Sequence, residues 1–111
     1  MSDLPVTKST SSEDEPIVHV ESDFKPLVQK FMTNRRKEVV AMREALARND
    51  FETTGRIAHG MKGAGGIYGF ERIAVLAGTI EQAAKTGSAG PIDTDLELLA
   101  TYLERVQVMF A

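Results

Sequence analysis

The sequence predicts an all-α fold, an antiparallel up-down bundle of four helices preceded by a disordered N-terminal tail. From about residue 24 onward, apolar side chains recur at steps of three and four, which is the spacing of one helix face. Turn-forming residues interrupt this pattern at Asn49-Asp50, at Gly69 and in the run GSAGP from Gly87 to Pro91. No stretch shows a convincing strand alternation. Because the links are short, consecutive helices are expected to run in opposite directions.

The pattern places the helices at about 24–48, 51–67, 70–86 and 92–110. Asp50 is suited to cap the start of the second helix, because its short carboxylate can accept a hydrogen bond from the first turn. Gly69 is suited to the left-handed conformation that often follows a helix. The first helix carries an apolar stripe that contains Leu27, Phe31, Val39, Met42 and Leu46.

The chain divides into a tail and one domain. Residues 1–16 are rich in Ser, Thr, Glu and Asp and hold few large apolar side chains, so they cannot bury enough surface to offset the entropy of ordering. We therefore predict a disordered acidic tail over 1–16 and a helical domain over 17–111. The short apolar stretch from Ile17 to Val20 is expected to lie extended across one end of that domain.

The composition excludes several classes of protein. A net charge of −3 is unfavourable for nucleic-acid binding, and cysteine is absent, which excludes disulfides and thiolate chemistry. No run of eighteen or more apolar residues could span a membrane, and the N-terminus lacks the pattern of a secretory signal. These features predict a cytoplasmic protein that binds neither nucleic acid nor membrane, and we expect a monomer.

The most unusual stretch is AHGMKGAGGIYGF, residues 58–70, which places a histidine, a lysine and five glycines on one predicted helix and its end. On a helical wheel, with His59 at zero, the apolar Ile57, Met61 and Ala64 fall between about 140° and 200°. His59 is therefore expected to face solvent. Lys62 falls at about −60°, one turn beyond the imidazole.

Glycines surround the histidine on the same wheel, with Gly55, Gly63 and Gly66 all within about 40° of it. Together these glycines could cost the helix about 2–3 kcal/mol of stability relative to alanine. A helix with a purely structural role would gain nothing from them. Their absence of side chains leaves a bare surface on which the backbone of another protein could approach the ring. We predict a docking surface there.

The spacing is unfavourable for other histidine chemistries. A metal site would need a second ligand one turn away, but Gly55 and Gly63 occupy those positions, so no metal is expected. No serine or cysteine nucleophile lies near the histidine, and a phosphate-binding loop would place its glycines before the lysine at a strand-to-helix turn. The remaining hypothesis is that His59 is itself the nucleophile, with Lys62 beside it to neutralise an anion.

These residues resemble the histidine phosphotransfer (HPt) domain family of bacterial phosphorelays. The residues that match its motif are His59, Lys62, Gly63, Gly65, Gly66 and Gly69, and the similarity extends over roughly residues 22–110. The resemblance implies that His59 carries a phosphoryl group on Nε2, that Lys62 lies near the phosphoryl oxygens and that Gly63 keeps the docking surface open.

The resemblance also implies a partner for the imidazole. In some family members a glutamate or glutamine on the next helix hydrogen-bonds the ring, and Glu81 is in a matching place, with Gln82 as the second candidate. A carboxylate that accepts from Nδ1–H would hold the tautomer that leaves Nε2 free. The alternative, that Glu81 is only a solvated charge flanking the core, stays open.

The function implied by the resemblance is reversible phosphoryl exchange between His59 and an aspartate on the receiver domain of a response regulator or hybrid histidine kinase. The receiver would supply bound Mg²⁺, and no cofactor is expected on this chain. The sequence contains no nucleotide-binding motif, so we expect a phosphocarrier without autonomous kinase activity. Two alternatives remain: an interaction module that docks a kinase or receiver without carrying phosphate, and a structural bundle with an incidental histidine.

Overall fold

The computed structural model describes residues 16–111, and the predicted tail lies almost entirely outside them. Four helices dominate the fold, α1 (Lys25–Ala47), α2 (Phe51–Ile67), α3 (Glu71–Lys85) and α4 (Ala89–Arg105). A short strand precedes them, β1 (Ile17–Val20), and another follows them, β2 (Gln107–Phe110). One turn of 3₁₀ helix, Ser22–Phe24, connects β1 to α1.

The helices form a closed bundle in which α2 packs against α1 and α3, and α4 packs against the same two helices. Along α2 and α3 the contacts run in opposite order, from Gly55 beside Ala84 to Gly65 beside Ile73, so these two helices are antiparallel. The side chains that meet in the core come from all four helices and from Phe70, the residue just before α3. The largest fully buried ones are Phe70, Met42, Met61, Ile73, Ile80, Ile92, Leu96 and Leu99.

Local sequence signals set the ends of α2 as expected. The Asp50 carboxylate accepts a hydrogen bond from the Thr53 backbone N–H at 3.0 Å, which satisfies one of the donors left open in the first helical turn. Beyond the other end, Gly69 has a φ of 79°, and Gly87 has a φ of 66° after α3. Both are left-handed conformations that glycine adopts without steric cost. The predicted span of α2 is therefore confirmed.

The fourth helix differs from the prediction at both ends. It begins at Ala89 instead of 92, with Pro91 in its first turn where a missing N–H costs nothing, and it ends at Arg105 instead of 110. The residues beyond it form β2, which pairs in parallel with β1 so that Val18 lies opposite Val108. The expectation that the domain contains no strand was wrong.

The two strands show a physical reason for this difference. In each strand alternate residues are partly buried against the bundle, Val18 and Val20 in β1 and Val108 and Phe110 in β2. Four residues of alternation are too few to distinguish from a helix end, and each strand gains its backbone hydrogen bonds only from a partner ninety residues away. The stretch from Ile17 to Val20 is extended, as predicted.

The apolar stripe of α1 was also predicted with one wrong residue. Leu27 is 49% exposed, whereas its neighbour Val28 is buried. Phe31, Val39 and Met42 are buried as expected. Within residues 16–111, none of the helices combines the length and hydrophobicity needed to cross a bilayer.

Candidate functional site

The site is centred on His59, in the middle of α2. Its side chain is 69% exposed, while Met61 and Ala58 in the same helix are completely buried. Ile57 and Ala64, which the wheel placed on the core side, are only half-buried. The buried face of α2 is therefore centred near −130° from His59 and not near 180°, so the imidazole stands closer to the edge of the buried face than the wheel predicted.

Glu81, on α3, is the residue that the imidazole meets. Its Oε2 lies 2.9 Å from His59 Nδ1, and the residue is only 8% exposed. A carboxylate at that position favours the tautomer with the proton on Nδ1, which leaves Nε2 unprotonated on the solvent side. Of the two interpretations of Glu81, the structure contradicts the solvated charge. Gln82, the second candidate, is exposed.

Lys62 lies on the other side of the same carboxylate. Its Nζ is 3.0 Å from Glu81 Oε1, and its aliphatic stem passes over Gly78, where an added Cβ would lie 3.4 Å from the lysine Cδ. Oε1 is buried and has no hydrogen bond of regular geometry among the described residues, so its contact with Lys62 is an ion pair. The structure therefore joins His59, Glu81 and Lys62 into one connected group.

This arrangement keeps the carboxylate of Glu81 ionised. The contact with Lys62 lowers the pKa of Glu81 most, burial acts in the opposite direction and raises it, and the hydrogen bond from His59 lowers it further. The charged form has a cation on one oxygen and a ring N–H on the other. A buried carboxylate held in this way is a fixed acceptor for the imidazole proton.

The glycines around His59 have different environments. A Cβ added to Gly63 or Gly66 would have no atom within 4 Å, so these two positions are bare surface. A Cβ at Gly55 would lie 3.3 Å from the Cβ of Ala84, because Gly55 faces the line of contact with α3. Gly55 therefore also serves the packing of the two helices, which the sequence interpretation did not include.

Gly65 is a further glycine with a packing role. It is buried, and an added Cβ would lie 3.0 Å from the Ala74 backbone nitrogen and 3.2 Å from the Phe70 carbonyl oxygen. Backbone atoms cannot move aside as a flexible side chain can. Gly65 is thus required for the close approach of α2 to the start of α3, a packing role that the sequence analysis did not predict.

An open groove runs from His59 toward the start of α2, between α2 and α3. We call it the His59 groove. Its floor contains Phe51, Gly55 and Ala84, and its other lining residues are Glu52, Arg56, His59, Glu81 and Lys85. The sequence prediction did not include Arg56, although its position three residues before His59 places it one turn away on the same helix.

Residues 16–111 contain no cluster of three or more His, Asp or Glu side chains that could hold a metal ion. The acidic and imidazole groups of the site are Glu81, His59 and the more distant Glu52. With Lys62 bound to Glu81, the arrangement is suited to a nucleophilic imidazole nitrogen and not to a cation.

Comparison with known proteins agrees with the geometry. The family model described as Hpt domain matches residues 26–108, about three quarters of the chain. Searches of curated proteins and of solved structures found no match. The match contains all four helices except the first residue of α1, and it contains the group formed by His59, Glu81 and Lys62. The chain therefore belongs to the Hpt domain family, the histidine phosphotransfer modules of two-component phosphorelays.

Proposed function

We propose that this protein is a phosphorelay intermediate in which His59 accepts a phosphoryl group from an aspartate on a receiver domain and returns it by the same route. One observation carries the proposal. The ring of His59 is exposed, and its Nδ1 is bonded to the buried Glu81, so Nε2 is left as the reactive nitrogen on the open surface.

The reaction is a displacement at phosphorus. Nε2 donates its lone pair to the phosphorus of the receiver's aspartyl phosphate, the new N–P bond forms, and the P–O bond to the aspartate breaks. The aspartate leaves as a carboxylate with that electron pair. The ring keeps its Nδ1 proton and gains positive charge, which the carboxylate of Glu81 stabilises at 2.9 Å. Return of the phosphoryl group reverses each of these changes.

The other site residues have separate roles in this proposal. Lys62 keeps Glu81 ionised through the 3.0 Å ion pair, and its partly exposed ammonium adds positive charge beside the phosphoryl oxygens. Gly63 and Gly66 leave a bare surface on which the receiver approaches the ring, and Gly55 lets the ring lie close to α3. The receiver brings the aspartate and its own Mg²⁺, so this chain needs no cofactor.

The proposal makes the protein a carrier and not a kinase. Hpt domains are phosphotransfer carrier modules that interact with receiver domains and kinases. Because the sequence has no nucleotide-binding motif, we infer that the chain does not phosphorylate itself from ATP and that its phosphoryl group comes from a partner.

The test compares the two histidines of the chain. Receiver domains from the same genome are phosphorylated with labelled acetyl phosphate and incubated with the wild-type chain, with His59→Gln and with His19→Gln. We expect acid-labile label on the wild type and on His19→Gln, whose residue lies exposed in β1 far along the chain from α2. The His59→Gln variant should stay unlabelled with an unchanged helical circular-dichroism spectrum.

Two other outcomes would contradict the proposal. Label on His59→Gln equal to the wild type would show that another residue is the acceptor. A wild-type chain that binds receivers but never becomes labelled would be an interaction module, the alternative that the sequence left open.

A further inference from the structure

We propose that Arg56 is a second phosphoryl-binding residue, whose guanidinium contacts the phosphoryl oxygens carried on His59 Nε2. The inference rests on the proposed function and extends it to a residue outside the group formed by His59, Glu81 and Lys62. It follows from the direction of the imidazole, from the charges that line the His59 groove and from the partner that Lys62 already has.

The direction of side chains on a helix places Arg56 near the reactive nitrogen. Helical side chains lean toward the N-terminus of their helix, so the ring of His59 lies over the preceding turn, which contains Gly55 and Arg56. The groove lining agrees with this direction, since His59 lines the same groove as Arg56 and Glu52 from the first half of α2. A phosphoryl group on Nε2 therefore lies on the side of the ring that faces the turn containing Arg56.

The two cationic side chains on α2 near the His59 ring, Lys62 and Arg56, differ in whether they form an ion pair. Lys62 is bound to Glu81 Oε1 at 3.0 Å, so part of its charge is already compensated. No ion pair holds Arg56 among the residues that the structure describes, and its side chain is exposed. It acts electrostatically on Asp50 only weakly, as the last of the causes that lower the pKa of that carboxyl. Arg56 is thus available for an incoming anion.

The chemistry of the group suits the ligand. A guanidinium presents several N–H donors in a plane and binds two phosphoryl oxygens at once, whereas an ammonium acts as a point charge. The other charged residues of the groove are Glu52, one turn further toward the start of α2, and Lys85, on the opposite helix. The negative charge of Glu52 would repel a phosphoryl group at this end of the groove unless a cation neutralised it. Arg56 lies between Glu52 and His59 in the chain and can supply that positive charge.

The experiment uses phosphoramidate, a small phosphoryl donor that needs no docking surface. Nε2 attacks its phosphorus, the P–N bond breaks, and ammonia leaves with the electron pair. Labelling rates at several phosphoramidate concentrations are measured for the wild type, Arg56→Gln, Arg56→Lys and Arg36→Gln. The last variant removes the same charge from an exposed position on α1, outside the groove.

We expect Arg56→Gln to lower the labelling rate about tenfold or more. This is less than the about 10²–10³ for loss of one contact in a water-excluded site, because the groove is open to solvent. Arg56→Lys should recover part of the rate, and Arg36→Gln should match the wild type. Transfer from a labelled receiver should fall in the same order.

Three results would overturn the inference while leaving the proposed function intact, because wild-type labelling would still occur. They are an unchanged phosphoramidate rate for Arg56→Gln, an equal fall for Arg36→Gln, and a fall confined to transfer from the receiver, which would make Arg56 a docking residue. Failure of the proposed function has a different signature, since the wild-type chain would then acquire no label that depends on His59 from either donor.

Discussion

Nδ1 of His59 lies 2.9 Å from Oε2 of Glu81, and this contact joins an exposed ring on α2 to a buried carboxylate on α3. The pair crosses the most extensive helix contact of the bundle, so the orientation of the ring depends on how the two helices pack. The same carboxylate holds Lys62 through its other oxygen. One side chain of α3 therefore contacts both candidate site residues of α2.

Replacing Glu81 with alanine should change the tautomer of the His59 ring and leave the helical fold in place. Without the acceptor, the Nδ1–H tautomer loses its advantage, and we expect a mixture of tautomers in long-range ¹⁵N–¹H correlation spectra. Phosphoryl transfer should slow by about 10–100-fold, the cost typical of losing a carboxylate that orients a metal-ligating histidine. Glu97→Ala removes a carboxylate that is 70% exposed on α4 and should change neither measurement. An unaltered tautomer in Glu81→Ala would contradict the role given to this contact.

The pKa of Glu81 predicts how stability depends on pH. Because Lys62 and His59 hold the folded-state pKa below the ordinary value of 4.5, the unfolded chain binds a proton more readily than the folded chain. The contribution of Glu81 is fully present above about pH 4.5 and is lost as the pH falls through the lower, folded-state pKa.

Thermal melts of the wild type and Glu81→Gln between pH 7 and pH 2.5 measure this contribution. The difference in melting temperature should be constant above the ordinary glutamate range and should shrink below it. Asp50, whose pKa is also lowered, chiefly by Thr53, contributes in the same window, but it is present in both proteins and cancels in the comparison. A difference that does not change over this range would show that the carboxylate of Glu81 is not stabilised in the folded state.

Removing the ammonium of Lys62 should affect both chemistry and ionisation. In Lys62→Ala, we expect transfer to slow by about 10²–10³, because one electrostatic contact is lost while the nucleophile stays. The pKa of Glu81 should rise toward its ordinary range, since the largest cause of its lowering has been removed. A pH titration followed by carboxyl ¹³C shifts measures the second effect. Lys37→Ala, on α1, is the matched control, and an unchanged transfer rate at saturating partner would contradict the role of Lys62.

The local parts of this fold could be predicted from the sequence. Cap and turn residues such as Asp50 and Gly69 act within a few residues of themselves, and the bounds of α2 follow from them. The pairing of β1 with β2 could not be predicted in this way, because it joins Val18 to Val108 through the folded bundle. The exposure of Leu27 was missed for the same reason, since the angle at which α1 packs depends on its neighbours.

The candidate site also has features that the sequence predicts and features that depend on tertiary packing. The motif spacing predicted His59 and Lys62 as site residues, and the resemblance indicated Glu81 but left its environment undecided. Whether that carboxylate is solvated or buried depends on the rotation of α3, which the tertiary packing sets. The glycines look alike in the sequence, but Gly63 faces open space, while Gly65 faces the backbone of α3. Only the packed structure separates a bare surface from a close contact.

Gly65 should tolerate no side chain. In Gly65→Ala the new Cβ would lie 3.0 Å from a backbone nitrogen of Ala74, so α2 and α3 must separate, and we expect a loss of about 1–3 kcal/mol in the free energy of unfolding. Urea unfolding measures this loss as a lower midpoint with an unchanged slope. Gly60→Ala, where an added Cβ meets no atom within 4 Å, is the control and should not be destabilised. A Gly65→Ala protein as stable as the wild type would contradict the close approach.

Gly63 should behave in the opposite way and separate stability from function. An added Cβ has open space, so Gly63→Ala should stabilise the fold by about 0.4–1 kcal/mol through helix propensity and a less flexible unfolded chain. Transfer from a receiver should nevertheless stay level or fall, because a methyl group narrows the surface beside the imidazole, and Gly63→Gln should lower it sharply with little loss of stability. Labelling by phosphoramidate, which needs no docking, should stay near the wild-type rate in both variants. If melting temperature and receiver transfer fall together across the Gly, Ala and Gln series, Gly63 is needed for packing, and the docking surface is not where we place it.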